Sequence, residues 1–255
     1  MSENPVAISV EDVTLAFDDR IIQHDISFSV SRGEIFVIMG GSGCGKSTML
    51  RAMIGLLQPA RGNILYDGQA LWTDDLEQRL QIQRRFGVLF QSAALWSSMT
   101  IGENVALPLT QYTSLKPADI ESIVSLKLGL VGLSGFEEYF PSEISGGMKK
   151  RAGLARAIAL DPSILFFDEP SAGLDPISSK RLDDLILELR NGLGATIIMV
   201  THELPSIFAV ADKAIYLDAQ THTAIAMGNP RELLATSRNE SLHEFLTRGG
   251  SAKDA

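Results

Sequence analysis

The 255-residue chain is 45% apolar, enough for one large core or a core with a smaller subdomain, and its formal charge of −9 argues against wrapping a nucleic-acid backbone, which needs dense Lys/Arg. No apolar run approaches the roughly 18–20 residues that span a bilayer, so any membrane role is expected to run through a partner. Met1–Pro5 lacks the pattern of a secretion signal, and the single cysteine, Cys44, fits a reducing compartment, so a cytoplasmic location is expected.

Taken in chain order, Ile8–Phe17 and Ile26–Val30 alternate apolar and polar residues around a polar turn, the pattern of an antiparallel sheet. Short apolar runs at Ile35–Met39, Val88–Phe90, Ile164–Phe167, Thr196–Val200 and Ala214–Leu217 read as buried strands. Helix-period stretches at Ser47–Leu57, Met148–Leu160 and Ile177–Arg190 lie between several of them, which predicts an α/β fold with a parallel sheet covered on both faces. From Ala93 to Leu160 the sequence reads as mostly helical, a subdomain inserted into the core. Gly228-Asn229-Pro230 predicts a helix start capped by Asn229, and the end from Gly249 to Ala255 is expected to fray.

Chemistry begins directly after the first buried strand, where Gly40-Gly41-Ser42-Gly43-Cys44-Gly45-Lys46-Ser47 satisfies the phosphate-loop pattern, with Thr48 next on the helix. Glycines let successive backbone N–H groups converge on a phosphate while the helix start aims its positive end at the same anion. Lys46 adds a full charge at the β and γ phosphates, and the Ser47 hydroxyl can ligate Mg²⁺. Cys44 reads as a spacer in this loop.

Ile164–Phe167 delivers two carboxylates, Asp168 and Glu169, at the carboxyl end of a strand, where α/β folds bind ligands. Asp168 suits Mg²⁺ through water, and Glu169 can polarise the water that attacks the γ phosphate. These two motifs alone leave kinases and GTPases open beside other phosphate-loop NTPases.

Between and after them stand Ser145-Gly146-Gly147-Met148-Lys149, Gln91, Ser171-Ala172-Gly173-Leu174-Asp175 and His202, and in this order they resemble the signature, Q-loop, D-loop and switch histidine of ABC ATPases. Phe17 is placed like the aromatic that stacks on adenine in that family. The resemblance covers about Ile8 to Gly228 and implies a RecA-like phosphate-loop NTPase core with an N-terminal antiparallel β subdomain over 1–92 and 161–228. It further implies a helical subdomain over 93–160 that carries the signature, and a C-terminal helix and tail over 229–255. It implies a homodimer in which Ser145, Gly146, Gly147 and Asp175 of one subunit close over the nucleotide of the other. Gln91 would join Ser47 and Asp168 at the metal, and His202 would steady the water and Glu169.

The segment Phe90–Thr100, with Glu103–Leu109, Pro141–Ile144 and Met148 in the signature, resembles the ATPases of Mla-type systems, which move phospholipids with a membrane permease and an MCE-domain protein. Met148 stands where most ABC signatures carry glutamine. Leu95, Trp96 and Met99 are candidates for a permease groove, or for packing within the helical subdomain. Another cargo, such as amino acids or metals, and a soluble ABC ATPase for cofactor assembly stay open at this stage.

Overall fold

The computed structural model describes residues 5–18 and 20–247; the predicted fraying of 249–255 lies outside them. In chain order the elements are β1 (Val6–Phe17), β2 (Arg20–Ser31), β3 (Ile35–Met39), α1 (Lys46–Met53), β4 (Arg61–Tyr66), β5 (Gln69–Ala70), α2 (Leu76–Gln83) and β6 (Phe86–Leu89). Then come α3 (Ile101–Tyr112), α4 (Pro117–Leu130), a 3-10 turn (Pro141–Glu143), α5 (Gly146–Ala157), β7 (Ile164–Asp168) and α6 (Pro176–Leu193). The chain closes with β8 (Thr196–Val200), α7 (Leu204–Val210), β9 (Lys213–Leu217), β10 (Ala224–Gly228), α8 (Pro230–Thr236) and α9 (Glu240–Thr247).

Backbone contacts group these elements into two units, one joining Met1–Arg84 to Thr196–Ala255, the other Arg85–Ala195. The first unit holds an antiparallel sheet in the order β2-β1-β4-β5 and strands in the order β10-β9-β3-β8. There β3 runs parallel to both β8 and β9, and β10 pairs antiparallel with β9. All residues of β3 and β8 are buried, as expected for strands covered on both faces. Asn229 caps α8 by accepting from the Arg231 N–H at 3.0 Å, as predicted. α9 then packs back on β9, with Leu242 and Leu246 buried and the Phe245 ring 5.2 Å from that of Tyr216.

In the second unit β6 and β7 run parallel, and α3, α4 and α5 pack on one another. A capping box between Thr100 and Glu103 starts α3. The buried Asn104 accepts from the Trp96 N–H at 2.8 Å and donates to the carbonyls of Trp96, Met99 and Thr100. That amide fixes the preceding turn, and Trp96 is 59% exposed, so it is not core packing.

Several element bounds differ from the sequence expectation; the helix expected over Met148–Leu160, for one, is Gly146–Ala157. The second strand begins at Arg20 and not Ile26, because it pairs with β1 from the hairpin turn onward. The helix expected over Ser47–Leu57 stops at Met53, where Ile54 leaves helical geometry. The strand expected at Val88–Phe90 is Phe86–Leu89 and contains Gly87.

Candidate functional site

The phosphate loop leaves the end of β3. Gly40 has φ 152°, and a Cβ there would lie 2.4 Å from the Leu217 carbonyl oxygen, so only glycine fits. The cap of α1 is Gly45, left-handed at φ 96° and without a side chain to accept from the first-turn N–H groups. That end is therefore built to receive an anion. Lys46 is 8% exposed, and its ammonium donates to the carbonyls of Gly40 and Gly41 at 2.9 and 2.8 Å. The cation is curled into the loop it would share with a phosphate. Cys44 is buried with Sγ 3.9 Å from Lys46 Nζ; burial pushes its thiol pKa up, against the pull of the ammonium, which fits a spacer.

β3 and β8 are parallel with Ile38 opposite Val200, so the phosphate loop and His202 leave the same edge of the sheet. His202 is exposed, its Nε2 3.7 Å from a Glu203 carboxylate oxygen. Phe17 ends β1 and is 46% exposed, an aromatic face with no core to fill. Ser47 and Thr48 lie in the first turn of α1. Sequence reasoning missed Gln23, fully buried beneath the loop, whose Nε2 donates to the Cys44 carbonyl at 2.6 Å and the Asp218 carbonyl at 3.2 Å.

The second unit repeats the device of two strands with a common edge. Leu89 of β6 lies opposite Phe167 of β7, so Gln91, exposed, leaves the same edge as Asp168 and Glu169. Glu169 is buried and left-handed at φ 47°, a conformation that costs a non-glycine residue about 1–2 kcal/mol. Ser145 caps α5, its Oγ accepting from the Met148 N–H at 3.2 Å, while Gly146 and Gly147 form the first turn. Asp175 caps α6, accepting from the N–H groups of Ile177 and Ser178 at 3.0 Å and from the Ser178 hydroxyl at 2.5 Å. The Ser178 hydrogen bonds hold its carboxyl below the usual range. Ser145, Gly147, Asp175, Arg151 and Arg181 line one hollow, where burial and then the neighbouring Arg181 guanidinium lower the Arg151 pKa.

Two further side chains of α5 reach the backbone of the loops that follow Gln91 and Asp168, and carried no signal in the sequence. Lys150 donates to the carbonyls of Glu169 and Ala172 at 3.1 and 2.7 Å. Arg156 donates to those of Ala93 and Ala94, both at 2.8 Å, just beyond Gln91.

The first unit thus offers an amide cradle with a buried cation, and the second offers carboxylates and a capped helix start beside two arginines. The ABC transporter family model matches residues 23–172. A probable ribonucleotide transport ATP-binding protein, mkl, of Mycobacterium leprae is 44% identical over 94% of this chain and 69% of its own length. The intermembrane phospholipid transport system ATP-binding protein MlaF of Haemophilus influenzae is 41% identical over 95% of this chain and 91% of its own. Among solved structures, cbiO1 of Clostridium perfringens, part of the ABC transporter complex cbiONQ, superposes with TM-score 0.83 at 28% identity over 91% of this chain and 92% of that one. The dimeric structure of MJ0796, a bacterial ABC transporter cassette, gives TM-score 0.79 at 28% identity, covering 87% of this chain and 98% of that one. The α/β phosphate-loop fold read from the sequence is the fold of these cassettes, and the chain belongs to the ABC transporter ATP-binding family as an ATP-hydrolysing subunit.

Proposed function

We propose that this ATPase energises phospholipid movement between membranes, acting as a homodimer on the cytoplasmic side of the inner membrane with a separate permease and an MCE-domain protein. The observation that carries the motor assignment is the folded-in ammonium of Lys46 above an uncapped helix start, a charge and a cradle made for a triphosphate. Phe17 stacks on the adenine, and Gly40–Ser47 with Thr48 hold the phosphates. Glu169 polarises the attacking water and His202 steadies it from the γ phosphate side. Ser145, Gly146, Gly147 and Asp175 close over the nucleotide held by the partner subunit.

Ser47, Gln91 and Asp168 offer a hydroxyl, an amide oxygen and a carboxylate, the hard oxygen donors that suit Mg²⁺, which when bound spreads the charge of the β and γ oxygens. The exposed Trp96, with Leu95 and Met99, is the candidate contact for the permease. Phospholipid is favoured over ribonucleotide as cargo because the MlaF relative matches over 91% of its length against 69% for mkl.

Replacing Glu169 by Gln tests the motor. Binding of ATP is retained, turnover falls by about 10³-fold or more, and a nucleotide-bound dimer accumulates on size exclusion. Normal hydrolysis by that variant would remove Glu169 from its role. Lipid cargo is tested by purifying the tagged chain from membranes. Phospholipid, a permease and an MCE-domain protein should accompany it, and a complex bound to ribonucleotide would overturn the cargo.

A further inference from the structure

Glu169 sits in a turn that the backbone does not favour. Its φ of 47° is left-handed, and Ala172 N–H closes the turn on the Glu169 carbonyl at 3.2 Å. A strained glutamate persists in one orientation only where its surroundings over-determine it. One such group is Lys150, 8% exposed, whose ammonium spans the turn by donating to both the Glu169 and Ala172 carbonyls. Burial lowers the Lys150 pKa from its usual value, and the nearby Glu169 carboxylate opposes that fall.

Lys150 belongs to α5, one turn beyond the helix start formed by Ser145, Gly146 and Gly147. We infer that Lys150 is a positioning residue for hydrolysis: it locks the Glu169 turn and ties it to the helix whose start is the signature. A displacement of α5 at its N-terminus reaches the Glu169 carbonyl through one side chain. Arg156, farther along α5, holds the left-handed Ala93 and Ala94 after Gln91 in the same manner, so a single helix carries the struts of two catalytic loops.

The inference rests on Glu169 acting on the water, and its test is arranged so that the two can fail separately. Steady-state hydrolysis and binding of a fluorescent ATP analogue are measured on the purified full chain for wild type, Lys150→Met, Lys150→Gln and Lys150→Arg, beside Glu169→Gln. Lys150→Met, which keeps the stem and loses the donors, should lower kcat by roughly 10- to 100-fold with nucleotide affinity held within about twofold. Lys150→Arg, which restores donors, should recover most of kcat. A Lys150→Met enzyme with wild-type kcat overturns the inference, as does one whose affinity falls in step with kcat. If Lys150→Met does not fold, Lys150→Gln decides: its single amide should leave kcat lowered at unchanged KM, and wild-type kcat overturns the inference. Normal turnover by Glu169→Gln would instead sink the reading beneath it.

Discussion

Two glycine-bearing helix starts in this chain face different demands. At the phosphate loop the glycines are required from inside: Gly40 would bring a Cβ to 2.4 Å from the Leu217 carbonyl, and Gly45 to 2.9 Å from Ile22 Cγ2. At the signature the fold makes no such demand. Gly146 would meet nothing within 4 Å, and Gly147 would meet Leu174 Cδ2 at 3.7 Å and Ser178 Oγ at 4.0 Å, ordinary contacts. Glycine lowers helix stability against alanine by about 0.5–1 kcal/mol, so two of them in one first turn cost the subunit something. What they leave free is room outside the chain, where a second subunit's nucleotide would press on the backbone.

The contrast breaks most visibly at Gly147. Gly147→Ala should keep or raise the melting temperature and keep ATP binding, yet lower turnover on the order of 100-fold by displacing the partner's phosphate. Gly40→Ala should do the reverse in the subunit, destabilising it by about 2 kcal/mol or more through the clash with Leu217. Thermal unfolding and steady-state hydrolysis, run side by side, check both. If Gly147→Ala hydrolyses normally, nothing presses on the signature from outside.

Lys46→Ala sharpens the other half. Its ammonium now satisfies two loop carbonyls, so removal loosens the loop slightly but takes away the charge a triphosphate would meet. Nucleotide affinity should weaken by about 10- to 100-fold, the worth of a charged hydrogen bond of roughly 1.5–3 kcal/mol. Titration calorimetry with ATP reads this directly, and an unchanged affinity would contradict the role given to Lys46.

What could be read from the sequence follows from range. β3 and β8 are continuous apolar runs because both faces are covered, so five-residue windows find them. β4 buries only Ile64 and Tyr66 of its six residues, and α2 buries only Ile82, so neither leaves a pattern to detect. Gly87 interrupted the apolar run and displaced the expected strand, although a Cβ there would lie 2.2 Å from the Ala157 carbonyl oxygen and glycine is what lets β6 pack. The phosphate loop, the paired carboxylates and the signature are local spellings and were legible. Lys150 and Gln23 were not, because each acts on carbonyls distant in sequence, in the case of Gln23 and Asp218 by 195 positions.

Gln23 carries the smallest of these effects and separates the two helix starts once more. The phosphate loop is braced from below by this buried amide, which bonds the Cys44 carbonyl and, through Asp218, joins the turn where Thr221 and Ser241 also donate to the Asp218 carboxylate. Gln23→Leu keeps the volume and leaves two buried carbonyls short of a donor, a loss of about 1–3 kcal/mol in stability. Nucleotide affinity should fall only a few-fold, since a loosened Cys44 carbonyl blurs the cradle without removing its charge. Signature-dependent dimerisation, scored in the Glu169→Gln background at saturating ATP, should be unchanged. A Gln23→Leu protein as stable as wild type would show that Cys44 and Asp218 hold the loop without the bridge.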